Sequence, residues 1–145
     1  MNKPYINIAE TVGSPPDRTQ VMVKLREMAD RILNKTSYKF VNKLNGDIID
    51  YYDALPTDGS TVLHSGFNDW KYWNGVVNLS MLRLSETTGD AKYRDYVIRN
   101  YNFAFKHLPF FKALFNKQIE NSNFHSFLGS TGLTTLAPWR LPCSR

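Results

Sequence analysis

The chain has 145 residues, of which 42% are hydrophobic, 21% charged and 14% aromatic, and it carries a formal net charge of +5. Its 3 Trp, 8 Tyr and 9 Phe exclude a disordered tail, which is poor in aromatics, and its single cysteine, Cys143, excludes a disulfide scaffold. No run approaches the roughly 18 apolar residues of a membrane span. The basic residues are interleaved with acids, as in Lys24-Leu25-Arg26-Glu27-Met28-Ala29-Asp30-Arg31, so neither a membrane nor a nucleic-acid partner is expected.

Met1-Asn2-Lys3-Pro4-Tyr5 shows no apolar stretch of a signal peptide, and the compartment is left open. Ser14-Pro15-Pro16-Asp17 marks a stop and a start. Beyond it Val21, Leu25, Met28, Ala29, Ile32 and Leu33 recur at three- and four-residue spacing, which predicts an amphipathic helix from about Asp17 to Asn34. Residues 36–69 contain turn chemistry at Asn45-Gly46-Asp47 and Pro56-Thr57-Asp58-Gly59, with short apolar pieces at Tyr38–Val41 and Ile48–Tyr52. An inter-helix segment this long usually serves a function.

Tyr72, Val76, Leu79, Met81, Leu82 and Leu84 predict a second helix, apolar on nearly all sides and closed by Thr87-Thr88-Gly89-Asp90. Gly89 suits the left-handed position after a helix and Asp90 the cap of the next. The third helix, about Ala91 to His107, sets Tyr93, Tyr96, Val97, Tyr101 and Phe105 against a polar side. Pro109 opens a fourth, about Phe110 to Glu120. No segment alternates with period two over a useful length, so the expected class is all-α. An apolar inner helix followed by a half-polar outer one is the unit of a double-layered α/α barrel.

The aromatic stretch Gly66-Phe67-Asn68-Asp69-Trp70-Lys71-Tyr72-Trp73-Asn74-Gly75-Val76 is the richest in potential chemistry. Aromatic faces stack on the C–H faces of sugar rings while amides and carboxylates bond hydroxyls; the same tryptophans serve equally as core anchors. His64, His107 and His125 lack metal-ligand spacing, so no metal site is expected and no cofactor is implied. Asp47, Asp50, Asp53, Asp58 and Asp69 suit turns and caps better than acid–base work. Gly129-Ser130-Thr131-Gly132 lacks the lysine of a phosphate-binding loop.

Asp69-Trp70-Lys71-Tyr72-Trp73-Asn74-Gly75-Val76, followed by Leu84-Ser85-Glu86-Thr87-Thr88-Gly89-Asp90-Ala91-Lys92-Tyr93, resembles the unsaturated rhamnogalacturonyl and glucuronyl hydrolases, glycoside hydrolase families 105 and 88. Those enzymes share a W-x-Y-x-x-G stretch opening an inner helix and a T-G-D-x-x-Y turn before an outer one. The resemblance covers about residues 17–125. It implies an (α/α)6 barrel that hydrates the C4–C5 double bond of a Δ4,5-unsaturated uronic acid in polysaccharide breakdown. In that family an Asp protonates the vinyl ether and activates water, and the hemiketal collapses to release the neighbouring sugar without a metal. This departs from the usual pair of flanking carboxylates. By position, the resemblance makes Trp70, Tyr72, Trp73, Asn74 and His64 the candidates to bind an oligosaccharide substrate.

The family's first catalytic aspartate lies in an L-D-D-x-G-A-M motif further along. Here Leu133-Thr134-Thr135-Leu136-Ala137-Pro138-Trp139-Arg140 stands instead, with no aspartate. Regrouping its degenerate codons one base back permits Asp-Asp-Phe-Gly-Ala-Met-Ala, and the residues ahead permit Arg-Leu-Asp-Arg-Leu. The expected organisation is therefore residues 1–127 as the N-terminal part of a barrel and 128–145 as an out-of-frame tail. Such a fragment has no catalytic residue, is inactive, and is expected to self-associate through the unpartnered face around Val76, Leu79 and Leu82. The alternatives are a non-catalytic helical carbohydrate-binding or interaction module with a native tail, or another α/α-barrel enzyme.

Overall fold

The computed structural model describes residues 17–50 and 55–129. Among the described residues five helices dominate: α1 (Arg18–Lys35), α2 (Tyr72–Thr88), α3 (Ala91–Lys106), α4 (Leu108–Asn116) and α5 (Phe124–Gly129). Between α1 and α2 the chain forms three short strands, β1 (Phe40–Asn42), β2 (Ile48–Ile49) and β3 (Thr61–Leu63), then a 3-10 turn at Gly66–Asn68.

The described chain is mostly helical, as expected, with one small sheet that the all-α expectation did not include. The sheet is antiparallel in the order β2-β1-β3, with Phe40 opposite both Ile49 and Leu63. β1 and β2 fall on the two short apolar pieces of the sequence while β3 lies beyond them, and two or three residues are too few to display a period-two pattern. Asn45 and Gly46 shape the β1–β2 loop. Gly46 has φ +77°, Asp47 N–H donates to Asn45 Oδ1 at 3.1 Å, and Leu44 N–H donates to Asn42 Oδ1 at 2.8 Å. Side-chain amides then tie the long connection to its surroundings. Asn68 Nδ2 donates to Ser37 O at 2.8 Å, and Asn121 Nδ2 donates to Gly59 O and Thr61 O at 2.8 and 2.9 Å.

The α2–α3 hairpin forms as its residues dictate. Gly89 ends α2 at φ +71°, its N–H donating to Ser85 O at 2.8 Å; a left-handed residue there costs glycine nothing. Asp90 Oδ1 then accepts from Lys92 N at 3.1 Å, capping α3.

α4 stops four residues before the expected Glu120. Ile119 N–H donates to Leu114 O at 3.0 Å and Gln118 N–H to Phe115 O at 2.9 Å, with Gln118 at φ +59°. This is a Schellman ending with glutamine in the position glycine usually holds, so the breaker composition gives no warning of it. His107 serves as both the end of α3 and the start of α4, with Pro109 in the first turn.

Two apolar clusters hold the chain together. One joins α1, α2 and the first half of α3 through Ala29, Met81, Leu84, Tyr93, Tyr96 and Val97. The other joins the sheet to α3, α4 and α5 through Phe40, Ile49, Phe103, Ala104, Phe110, Phe111, Leu114 and Phe124. Phe40 is fully buried among the rings of Phe103, His107, Phe110 and Phe111, at centroid distances of 4.9–6.2 Å. The Phe111 and Phe124 rings stack at 3.8 Å and 6°.

The buried stripe of α3 runs through Tyr93, Tyr96, Val97, Asn100, Phe103 and Ala104, whereas Tyr101 and Phe105 are exposed. The first half of the stripe is as expected, and in the second half Asn100, Phe103 and Ala104 take the buried side in place of Tyr101 and Phe105. α2 is not enclosed on all sides: among the described residues Tyr72, Trp73, Val76 and Leu79 are exposed and only Met81 and Leu84 are buried. α1 buries Ala29 and leaves Val21, Leu25 and Met28 exposed.

Candidate functional site

The aromatic stretch folds into the entrance of α2. Asn74 holds this entrance in shape, because its Nδ2 donates to Gly66 O and to Asp69 O, both at 2.7 Å. Asp69 is buried and binds the far end of the described chain. Its carboxylate accepts from Trp70 N at 2.8 Å, from Asn123 N at 3.0 Å, and from the Asn123 side-chain amide. That carboxylate is therefore occupied as a structural acceptor, in keeping with the turn role expected of it.

Trp70 is half-buried and performs both roles open to it. Its ring packs 5.3 Å from Phe124 and 4.8 Å from Phe127, anchoring the loop to the second cluster. The same ring meets Tyr101 edge-on at 6.0 Å and forms one wall of a cleft of about 440 Å³. Tyr72, Gly75, Val76 and Leu79 of α2 also line it. A β-carbon placed on Gly75 would meet nothing within 4 Å, so the cleft reaches the helix backbone there.

Of the five residues the sequence singles out, Trp70, Tyr72 and Asn74 line this cleft. Trp73 lies outside the lining; its ring stands 5.6 Å from Tyr72, at 78°, and is 71% exposed. His64 sits at the end of β3, where its Nδ1 is 2.9 Å from Ser37 Oγ, also outside the lining. The structure thus separates the W-x-Y pattern into an anchor, Trp70, and an exposed aromatic, Tyr72.

No family model, curated protein or solved structure matches the chain.

Two polar groups of the cleft lie outside the aromatic stretch, and a third lies within it but was not singled out. Asn78 and Tyr101 line it from α2 and α3, and Lys71 lines it with Nζ 3.9 Å from Asp69 Oδ2. Asn78 Oδ1 accepts from Asn100 Nδ2 at 3.0 Å, and Asn100 Oδ1 accepts from the Tyr38 hydroxyl at 2.8 Å. Burial pushes the Tyr38 hydroxyl up to about 12, so it stays a donor across the physiological range. One clue to this relay was present: Asn100 falls on the buried stripe of α3, where a lone amide requires a partner.

Among the described residues no group of three or more His, Cys, Asp or Glu stands where it could hold a metal ion, and no helix is long and apolar enough to cross a membrane. The cleft offers aromatic faces, amides, one ammonium and a carboxylate already bonded. Those groups suit holding a polyhydroxylated ring.

Proposed function

We propose that residues 1–127 are the N-terminal part of an (α/α)6-barrel glycoside hydrolase acting on Δ4,5-unsaturated rhamnogalacturonyl or glucuronyl oligosaccharides by vinyl ether hydration. In this chain that part binds sugar without turning it over. One observation carries the reading. The motif residues Trp70, Tyr72, Asn74 and Gly75 line a single open cleft at the start of α2, on a hairpin closed by the Gly89–Asp90 turn.

A second feature supports an incomplete helical array. Val76 and Leu79 are 47% and 59% exposed on α2, and Met28 on the facing helix is 61% exposed. Surfaces of this kind are covered in a closed barrel. The cleft's one carboxylate, Asp69, is consumed by Asn123 and backbone N–H, which suits a fragment whose acid lies elsewhere. The out-of-frame tail is part of the same proposal; residues 130–145 lie outside the described residues.

The test uses an unsaturated uronyl disaccharide and follows the ultraviolet absorbance of its alkene. This chain is expected to leave the absorbance unchanged, while the product of a gene restored by one base consumes it. A restored product that folds and is inert toward unsaturated uronides overturns the reading. So does a nucleotide sequence lacking the R-L-D-R-L-D-D-F-G-A-M-A string in the neighbouring frame.

A further inference from the structure

Two turns in the connection between α1 and α2 set a glycine directly after a side chain that can close a cyclic imide on the backbone: Asn45-Gly46 and Asp58-Gly59. In each pair the glycine nitrogen is the nucleophile and the preceding γ-carbon the electrophile. Glycine suits this reaction, because it has no β-carbon to obstruct attack and its backbone reaches angles closed to other residues.

The structure separates the two turns. Asp58 Oδ1 accepts from Ser60 Oγ at 2.6 Å and from Ser60 N at 2.9 Å, and these bonds hold its carboxyl below the ordinary carboxylate range. An ionised carboxylate repels a nucleophile and offers no leaving group. Gly59 is also packed. A β-carbon there would stand 3.3 Å from the Ile119 side chain, and the Gly59 carbonyl accepts from Asn121 Nδ2 at 2.8 Å.

Asn45-Gly46 differs on each count. Residues 43–48 are all exposed, and none of them belongs to either apolar cluster. A β-carbon on Gly46 would meet nothing within 4 Å. The Asn45 amide is neutral, and the Asp47 backbone N–H donates to its Oδ1 at 3.1 Å. That donor draws charge from the γ-carbon and supports the oxyanion that attack creates. Gly46 N–H is bonded to Asn42 O at 2.8 Å, in a loop that opens without disturbing the core.

We propose that Asn45 is a site of spontaneous backbone rearrangement, converted through a succinimide to isoaspartate. Gly46 N gives its proton to hydroxide and bonds to Asn45 Cγ. The Cγ–Nδ2 bond breaks, and ammonia leaves with a proton taken from water, which regenerates the hydroxide. Water then opens the ring. Cleavage at Cγ yields aspartate, and cleavage at the α-carbonyl leaves the chain running through the side chain as isoaspartate. Either product sets a carboxylate where Asn45 Nδ2 now donates to Asp47 Oδ2 at 2.6 Å, and isoaspartate also lengthens the β1–β2 loop by a methylene. The site is independent of the carbohydrate reading.

The test incubates the whole chain at neutral and at mildly alkaline pH. Isoaspartate is read by methylation with an isoaspartyl carboxyl methyltransferase and labelled S-adenosylmethionine. Fragmentation of the tryptic peptide 44–71 assigns the label to position 45 or 58. The label is expected at 45, growing with time in proportion to hydroxide, together with a more acidic species on ion exchange. Asn45→Gln, whose larger imide ring closes far more slowly, should lose both signals while circular dichroism stays unchanged. Absence of label at 45 after alkaline incubation overturns the proposal, as does equal label in the variant or label confined to 58. Label at 45 only after denaturation also overturns it, because the folded loop then protects the amide.

Discussion

Asp69 and Asn123 are 54 positions apart, yet the carboxylate of one receives both the backbone N–H and the side-chain amide of the other. Through this contact the entrance of α2 is fixed to the turn that starts α5, and Trp70 is brought against Phe124 and Phe127. Removing the acceptor leaves buried donors unpaired. Asp69→Ala should therefore destabilise the fold by about 2–4 kcal/mol, and Asp69→Asn, which presents N–H where acceptors are needed, by a similar amount. Denaturant unfolding monitored by tryptophan fluorescence reads this. A loss below about 0.5 kcal/mol would show that the contact does not hold the loop.

Phe40 is the centre of the second cluster, with four aromatic rings around it and no exposed surface. Phe40→Ala should cost about 3–5 kcal/mol, because the sheet cannot collapse onto the space left by the ring. Phe105→Ala, at a residue 64% exposed, should be close to neutral. Equal effects from the two would contradict the packing described.

His107 is buried between the rings of Phe40 and Phe103, at 4.9 and 4.7 Å, and burial holds its imidazole below the ordinary 6.5, with Lys106 adding to the effect. The unfolded chain takes up a proton near 6.5 and the folded chain only at lower pH. Stability from this residue is thus complete above 6.5 and declines as the pH falls from there toward the folded value. Melting temperatures between pH 7.5 and 5 should show the decline, and His107→Gln should flatten it relative to the parent. An unchanged profile would remove His107 as its source.

Gly75 costs α2 helical propensity, and its missing β-carbon faces open space in the cleft. Gly75→Ala should raise stability by roughly 0.5–1 kcal/mol. If a sugar approaches the backbone there, the same change should weaken its binding severalfold. Higher stability with undiminished sugar affinity would place the ligand elsewhere.

The exposed side of α1 and α2 should drive association of copies of this chain. Met28, Leu79 and Trp73 are 61%, 59% and 71% exposed, beyond the scattered apolar exposure of a monomer. Sedimentation velocity should show concentration-dependent association, relieved by Met28→Glu with Leu79→Glu. A parent chain that stays monomeric across the range would oppose an incomplete barrel.

Much of the local structure was legible in the residues. The spacing of Ala29, Ile32 and Leu33, the Gly89–Asp90 junction and Pro109 place α1 to α4 to within a few positions, because capping and period are written in neighbouring side chains. β1 and β2 escaped because pairing across a turn, rather than local propensity, makes two or three residues a strand. The Gln118 ending of α4 escaped because its two reversing hydrogen bonds, rather than a glycine, set the conformation.

The sequence by itself determined α1, α2 and α3, the Gly89–Asp90 turn and the aromatic character of the stretch at Trp70–Trp73, since each depends on residues within a turn or two of one another; α5 was not expected from it. Only the tertiary structure decided that Trp70 turns inward as an anchor while Tyr72 and Trp73 stay exposed, and that Asp69 is spent on Asn123. It also decided that Tyr38, Asn100 and Asn78 join in one relay. Those outcomes depend on contacts 22 to 62 residues apart, where the burial of one side chain is set by the packing of distant helices rather than by its neighbours in the chain.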